Sequence, residues 1–377
     1  MKHLLLLLSF LSLALSASSQ SFLSRLLFPK SSIHADTIGD LPPQVEGTSS
    51  LFFLDGQYWT CNDHGQLTLY ALDTTTAAIV DSITLAPYIY DMEEVSQDDD
   101  YLYFGDMGDN NGVRDDLHIL RLSKSAIPSG PFLFDTIFFS YPERNEANAR
   151  DFDCEAFVVT DSTIILFTKQ WNSHKTVCYA IPNSPGIWLA DSLFSLPVEG
   201  MVTGASYKPR HQRLVLCGYN SFCSPFVFLA YGFECNSFNL GQYQRIPLSN
   251  GIGCQTEAIA TLDGLHYFLT CEKFDRMGVV NPSQLLSLDL TSQFNMSVTD
   301  ISLDADRVVV YPNPTSTRLH LPSAQIKRFA LVDMQGRKLL EGTDDEWINL
   351  YDVPSATYLL HLTLKSDATK TITIIKR

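Results

Sequence analysis

Short runs of alternating apolar and polar residues fill the chain from residue 36 to residue 302. Examples are LTLYALD, from Leu67, and VDSITL, from Val80, and such runs are bounded by Gly, Asp, Asn or Ser. Alternation with a period of two is typical of half-buried β-strands, because successive side chains point to opposite faces. No long stretch shows the 3.6-residue period of an amphipathic helix. The pattern therefore predicts an all-β fold.

A pair of strands recurs five times in this segment. Each pair opens with a first strand, usually preceded by an acidic residue, and a polar turn leads into the second strand. The pairs begin at Glu46, Glu94, Glu155, Thr203 and Glu257. A third strand follows each pair, and often a fourth. Four antiparallel strands repeated roughly every 50 residues are typical of a β-propeller blade. We therefore predict a five-bladed β-propeller at residues 36–302, with six blades as the alternative if one blade is degenerate.

The strand around Asp36 belongs to no complete repeat. We expect it to pair with the last repeat and close the ring, although the segment around Asp300 competes for that place.

The geometry of such blades brings the starts of the first strands and the ends of the second strands to one surface near the axis. Carboxylates meeting there would suit a divalent cation, which takes several oxygen ligands. The alternative is that these acidic residues accept local turn hydrogen bonds. The predicted ligand-binding funnel consists of Glu94, Asp106, Glu155, Lys169, Glu257, Glu272 and Lys273.

The loop GDMGDNNGVRDD, residues 105–116, is the richest local source of oxygen ligands. It does not match the EF-hand pattern, so a hydrogen-bonded turn competes with a calcium site. The predicted metal ligands, for calcium, are Asp106, Asp109, Asn111, Glu155 and Glu257.

The last segment, residues 303–377, has a different character. Pro312 and Pro314 stand between two apolar runs in VVVYPNPTSTRLHL, and further alternating runs follow. Prolines fix φ and cannot donate ladder hydrogen bonds, so they would make a stiff junction. We predict a small C-terminal β-sandwich of about seven short strands.

Targeting and charge narrow the choice of partners. Residues 1–19 combine Lys2, an apolar core and small residues, which predicts a signal peptide. No apolar stretch is long enough for a membrane-spanning helix, so we expect no transmembrane anchor. The net charge of −16 argues against nucleic acid as a partner. None of the eight cysteines forms a CxxC pair, which argues against structural zinc.

The C-terminal segment closely resembles the type A C-terminal sorting domain of the type IX secretion system of Bacteroidetes. The matching features are YPNPTS, LVDMQGR, INLYDVPSATYLLHL and the basic IIKR end. The resemblance implies that the secretion machinery is a partner. It also implies that the protein is secreted or held at the outer-membrane cell surface.

The body is similar to secreted phytase-like or esterase-like propeller proteins of bacteria, in stretches such as GDMGDNNGVRDDLHILRL, CEAFVV and QTEAIA. The resemblance implies calcium ions bridging substrate phosphates in the funnel. The matching positions would be Glu94, Asp106, Glu155 and Glu257, with Lys169 beside them.

Binding is favoured over catalysis, because no nucleophile–base pair is visible in the sequence. The leading hypothesis is a secreted propeller that binds a ligand, a cation or a protein on its acidic funnel. The alternatives are a calcium-dependent phytase-like phosphoesterase and a structural cell-surface component.

Overall fold

A computed structural model describes residues 32–127, 129–233, 236–276, 278–294, 310, 314–315, 317–321, 326–343, 347–364 and 369–377. The chain divides into two compact units after Leu290. The all-β prediction is confirmed, since the regular elements are strands apart from short helical turns. The predicted signal peptide and the segment around Asp300 lie outside the described residues.

The larger unit begins with β1 (Asp36–Asp40) and continues with sheets built from consecutive strands. The first sheet contains β2 (Phe52–Leu54), β3 (Gln57–Thr60), β4 (Gly65–Leu72) and β5 (Ile79–Ile89). The second contains β6 (Met92–Gln97), β7 (Tyr101–Asp106), β8 (His118–Ser123) and β9 (Phe134–Ser140). The third contains β10 (Cys154–Val159), β11 (Thr163–Thr168) and β12 (Thr176–Pro182). Next, β13 (Gly186–Leu189) joins the edge of the second sheet, parallel to β9. The strand β14 (Asp191–Leu196) then completes the third sheet.

Two more sheets follow in the same way. The fourth contains β15 (Met201–Lys208), β16 (Arg213–Tyr219), β17 (Pro225–Tyr231) and β18 (Gln242–Pro247). The fifth contains β19 (Thr256–Thr261) and β20 (His266–Cys271), followed by a hairpin of β21 (Phe274–Arg276) and β22 (Val279–Asn281). After the hairpin, β23 (Gln284–Asp289) rejoins this sheet, and β1 pairs with it antiparallel as the fourth strand. The expected pairing of the N-terminal strand with the last repeat is therefore confirmed.

Apolar clusters lie between sheets that follow one another along the chain. Leu69 and Phe104 share a cluster between the first and second sheets, and other clusters join the second to the third and the third to the fourth. A further cluster, containing Leu72 and Leu285, joins the first sheet to the fifth. The fourth and fifth sheets approach at Gly204, where an added Cβ would lie 2.9 Å from the carbonyl oxygen of Glu257. Each sheet thus packs on the next, and the fifth packs back on the first.

A one-residue shift of register interrupts the first strand of most sheets. The shifts lie between Met92 and Glu94, Cys154 and Ala156, Val202 and Gly204, and Thr256 and Ala258. The extra residue in each strand is therefore Glu93, Glu155, Thr203 and Glu257, respectively. In the first sheet the register shifts by one residue between Thr48, which is bridged to Asn62, and Phe52, which pairs with Trp59. Ser49 lies in this stretch, and we take it as the bulge position of the first sheet. We call these five the bulge positions, because one strand gains an unpaired residue there.

The other ends of the same first strands surround a cavity of about 1010 Å³. All five first strands contribute to its wall. The contributing segments are 51–55, 95–99, 158–161, 205–208 and 259–261. The bulge positions lie outside this wall, toward the starts of the strands.

The smaller unit is a separate β structure. Its strands are β24 (Arg318–His320), β25 (Ile326–Asp333), β26 (Lys338–Gly342), β27 (Trp347–Asn349), β28 (Ala356–Leu364) and β29 (Thr369–Lys376). One sheet has the order β26-β25-β28-β29, and β24 pairs with β27. Leu319 and Ile348 of the pair share one apolar cluster with Leu331 and Leu360 of the larger sheet. The two sheets therefore enclose a core of their own.

Candidate functional site

Three glutamates from three different sheets meet around one lysine. Glu93, Glu155 and Glu257 occupy the bulge positions of the second, third and fifth sheets, and Lys169 follows β11 directly. The Lys169 Nζ lies 2.7 Å from Glu155 Oε1, and both side chains are about 95 % buried or more. We call these four residues the bulge cluster.

Lys169 carries the positive charge at the centre of the bulge cluster. Burial alone would lower its pKa, but the charges on Glu155, Tyr219 and Glu257 together raise the pKa well above its ordinary value. Its ammonium also lies 5.0 Å from the ring centroid of Trp171 and 5.5 Å from that of Tyr219. The faces of such rings attract cations. Lys169 is therefore charged and held by one carboxylate and two aromatic rings.

The glutamates of the cluster are harder to ionise than free glutamates. Burial raises the pKa of Glu155 to about 8, although Lys169 opposes this shift. Burial and the neighbouring carboxylate of Glu155 raise the pKa of Glu93 well above its ordinary value. Burial also raises the pKa of Glu257, against the opposing effect of Lys169. One lysine cannot neutralise three carboxylates, so the cluster holds protons or an additional cation near neutral pH.

No residue in the described part of the chain donates a hydrogen bond to the Glu93 carboxylate. Glu93 is nevertheless only 9 % exposed. Its carboxylate rests against the backbone of Gly108, where an added Cβ would overlap Glu93 Oε1 and lie 2.5 Å from Asp91 Oδ2. Buried carboxylates are normally hydrogen-bonded or paired with a cation. No described residue supplies a donor here, and the Glu93 oxygens, which are not fully buried, can take one from solvent or a ligand.

Two aspartates that the sequence analysis did not single out support the cluster. Asp153 is fully buried and accepts hydrogen bonds from the backbone N–H of Asp109 at 2.8 Å and from Trp171 Nε1 at 3.1 Å. Burial and the charge of Asp153 raise the pKa of Asp91 to about 6. The signal that could have found Asp153 is its position just before the predicted strand CEAFVV.

Glu94, a predicted funnel residue, lies beside the cluster and not within it. Its Oε1 accepts a hydrogen bond from the N–H of Val95 at 3.0 Å, and its Oε2 accepts one from the N–H of Ala205 at 2.9 Å. The register of β6 shows that Glu93 is the equivalent of Glu155 and Glu257. Because of the bulge, the residue of the second sheet that enters the cluster is Glu93, one position before the Glu94 that the sequence repeat predicts.

Asp106 and Asp109 are buried in the loop that follows β7, and both are paired with arginines. Asp106 Oδ1 lies 2.9 Å from Arg114 Nη1, and its carboxylate accepts hydrogen bonds from the N–H groups of residues 90 and 91. Asp109 Oδ2 lies 2.5 Å from Arg144 Nη2, and its Oδ1 accepts the N–H groups of Val113 and Arg114. Asn111 is exposed. The loop is therefore a hydrogen-bonded turn closed by two ion pairs.

The other two predicted funnel residues lie after β20. Glu272 is partly exposed, and burial followed by the charge of Asp63 raises its pKa. Lys273 is directed to the surface, where its Nζ lies 3.1 Å from Glu46 Oε2. Glu272 therefore extends the acidic region toward solvent. Lys273 pairs with Glu46 and forms no ion pair with a carboxylate of the bulge cluster among the described residues.

No group of three His, Cys, Asp or Glu side chains in the described ranges stands close enough together to bind a metal ion. Calcium binding remains a prediction. Within those ranges no helix has both the length and the apolar character needed to cross a bilayer.

Comparisons with solved structures find distant likenesses. One is the PQQ-bound aldose sugar dehydrogenase from Streptomyces coelicolor, at 11 % identity and a TM-score of 0.42, covering 67 % of this chain and 96 % of that chain. Another is the exo-β-1,3-galactanase from Phanerochaete chrysosporium, at 9 % identity and a TM-score of 0.42, covering 88 % of this chain and 86 % of that chain. At these TM-scores neither likeness bears on function. No curated protein matches the chain.

The C-terminal unit does match a known family. Residues 309–377 match the family described as "Secretion system C-terminal sorting domain". The match agrees with the resemblance seen in YPNPTS and LVDMQGR. It implies export by the type IX secretion system, to the cell surface or the extracellular space. The last 69 residues of this chain, 309–377, are a secretion system C-terminal sorting domain.

Proposed function

We propose that the larger unit is a closed five-bladed β-propeller. The packing of the sheets, the pairing of β1 and a shared cavity support this proposal. Each of the five sheets packs on the next, the fifth packs on the first, and β1 completes the fifth sheet. All five first strands also line one cavity, as the inner strands of a propeller do. Within the larger unit, the described residues from 32 to 290 form no sixth sheet of four strands, which favours five blades over six.

We further propose that this propeller is secreted, and that the bulge cluster binds a cation or a cationic ligand. The protein is then a binding protein of the cell surface or the extracellular medium. The observation that carries the proposal is the excess of carboxylates around Lys169, together with the missing donor at Glu93. A bound cation would neutralise that excess and supply the donor.

The phosphoesterase alternative receives less support from this geometry. A phosphate needs free positive charge, whereas the ammonium of Lys169 is already 2.7 Å from Glu155. Arg114 and Arg144 are likewise paired with Asp106 and Asp109. Calcium-dependent release of phosphate from phytate would establish that alternative, and loss of the release in Glu155→Gln would locate it in the cluster.

The binding proposal is tested by calorimetric titration of the purified full chain with calcium chloride, magnesium chloride and an alkylammonium chloride. We expect saturable binding of at least one of these cations, weakened at least tenfold in Glu257→Gln. The control is Asp81→Asn, an exposed residue of β5. If no cation binds at millimolar concentration, the proposal is wrong and the structural-component hypothesis is favoured.

A further inference from the structure

A second group without a partner lies among the five bulge positions. Ser49 is only 6 % exposed, and its hydroxyl oxygen is buried without a hydrogen-bond partner among the described residues. Ser49 lies in the stretch of the first sheet where the register shifts, so it corresponds to Glu93, Glu155 and Glu257 in the other sheets. The ring of bulge positions therefore has an unpaired hydroxyl as well as an unpaired carboxylate.

The fifth bulge position does not compete for a ligand. Thr203 Oγ1 donates a hydrogen bond of 2.5 Å to the carbonyl oxygen of Thr256. The Ser49 hydroxyl is buried without a partner, and no described residue donates a hydrogen bond to the carboxylate of Glu93 or to that of the partly buried Glu257. All three groups can accept hydrogen bonds. They call for a ligand that donates several hydrogen bonds and carries positive charge.

A metal ion fits these groups poorly. Calcium takes six to eight oxygen ligands at about 2.3–2.6 Å, and the described residues hold no set of three acidic groups at metal-binding distance. The ammonium of Lys169 stands at the centre of the cluster and would repel a divalent ion about twice as strongly as a singly charged group at the same distance.

An ammonium group fits them well. The cluster already holds one, since Lys169 Nζ contacts Glu155 and lies near the faces of Trp171 and Tyr219. An ammonium has three N–H donors, which matches two carboxylates and one hydroxyl. The residues that carry this pattern come from separate sheets, so it is a property of the fold and not of one loop.

The loops on this face favour an organic ligand over a hydrated ion. These loops lead into the first strands or follow the second strands. They therefore lie at the same end of the sheets as the bulges. Large apolar side chains are exposed at this end, with Tyr88, near the end of β5, 75 % exposed, Tyr90 70 % exposed, and Phe222 and Ile252 also exposed. Such side chains can cover the aliphatic stem of an amine.

We propose that the bulge cluster binds the primary ammonium group of an organic amine, with Glu93 and Glu257 as its carboxylate partners and Ser49 as its hydroxyl partner. This inference rests on the proposed function, because it names the class of cation that the cluster takes. The amine can be free in solution or can be the side chain of a lysine in a peptide.

Calorimetric titration of the full chain with n-pentylamine hydrochloride tests the proposal, and n-pentanol serves as a neutral probe of nearly the same shape. We expect one saturable site for pentylamine and no binding of pentanol. Glu93→Gln, which keeps the shape of the side chain, should weaken pentylamine binding at least tenfold, and Ser49→Ala should weaken it severalfold. Asp81→Asn should bind as the natural protein does.

A peptide containing one lysine, and the same peptide with that lysine acetylated, distinguish the two sources of the amine. Stronger binding of the unmodified peptide than of pentylamine assigns the site to a protein ligand, and the reverse assigns it to a free amine. Binding of calcium without binding of pentylamine overturns this inference but leaves the proposed cation binding intact. Equal binding of pentylamine and pentanol also overturns it. If none of the cations binds, both proposals are wrong.

Discussion

The carboxylate of Glu94, in the second sheet, accepts a hydrogen bond of 2.9 Å from the backbone N–H of Ala205, in the fourth. The two residues belong to first strands that are not neighbours in the sequence of sheets. Their bond therefore spans the space that the five first strands surround. Residues 95 and 205 also line the cavity, so Glu94 lies between that cavity and the bulge cluster.

Replacing Glu94 tests this bond. Burial raises the pKa of Glu94 well above its ordinary value, although the two backbone N–H groups oppose the shift. Glutamine keeps one acceptor oxygen in place of two, so one of the two N–H groups loses its acceptor, and Glu94→Gln should cost about 1–2 kcal/mol of unfolding free energy at neutral pH. Glu94→Ala leaves both N–H groups without an acceptor and should cost about 2–4 kcal/mol. Urea unfolding measures both, and equal losses in the two variants would contradict this role.

Removing the central charge should destabilise the body strongly. Lys169→Met leaves buried carboxylates without their only cation in the bulge cluster and should cost about 3–5 kcal/mol at pH 8. The loss should be smaller at pH 5, because protonated carboxylates need no partner. Lys273→Met is the matched control, since that lysine forms an exposed pair with Glu46 and should cost about 1 kcal/mol or less. A loss in Lys169→Met that does not change with pH would contradict the charge argument.

The stability of the natural protein should fall as pH rises between about 4.5 and 8. The pKa of Glu155 is raised to about 8 in the folded state, so folded Glu155 binds a proton that the unfolded chain releases. Stability from such a group is complete below the unfolded pKa and is lost as pH rises through the folded pKa, by at most about 1.4 kcal/mol per pH unit. Glu155→Gln should flatten this slope. Urea unfolding at pH 5, 6, 7 and 8 checks it, and an unchanged slope in the variant would exclude Glu155 as its source.

Alternation and repeats were enough to predict the strands and the pairing of the Asp36 strand with the last repeat. The Glu93–Glu94 pair shows where such reasoning stops. Both residues are acidic, and which one enters the cluster depends on a one-residue bulge that alternation does not reveal. Asp109 shows a second limit, because its partner Arg144 lies 35 residues away. Long-range ion pairs of this kind depend on how the sheets pack, which no local pattern encodes.

Deleting residues 309–377 should prevent export without unfolding the body. The sorting domain belongs to a separate compact unit with its own core, so the body does not need it to fold. In a host with a type IX secretion system, the shortened chain should accumulate inside the cell envelope, and the complete chain should reach the surface or the medium. Fractionation and immunodetection measure this. Export of the shortened chain would show that another part of the sequence carries the signal.

Gly108→Ala should disturb the bulge cluster without changing any charged residue. The added Cβ would overlap Glu93 Oε1 and approach Asp91 Oδ2, so the Glu93 carboxylate must move. We expect a loss of about 1–3 kcal/mol of unfolding free energy, as for other overpacked sites, and at least tenfold weaker binding of pentylamine. Gly56→Ala is the control, because Gly56 has a φ of 85° with open space around it. It should lose about 1 kcal/mol through backbone strain and keep its affinity for the amine.

The double variant Glu93→Ala/Gly108→Ala separates the clash with Glu93 from other effects of the new methyl group. With the Glu93 carboxylate removed, Gly108→Ala should cost less than it does alone, because the nearest clash of the new methyl group, with Glu93 Oε1, is gone. Additive losses would mean that the carboxylate of Glu93 does not rest against residue 108. In that case the Glu93 side chain adopts a different conformation, in which another group can donate a hydrogen bond to its carboxylate.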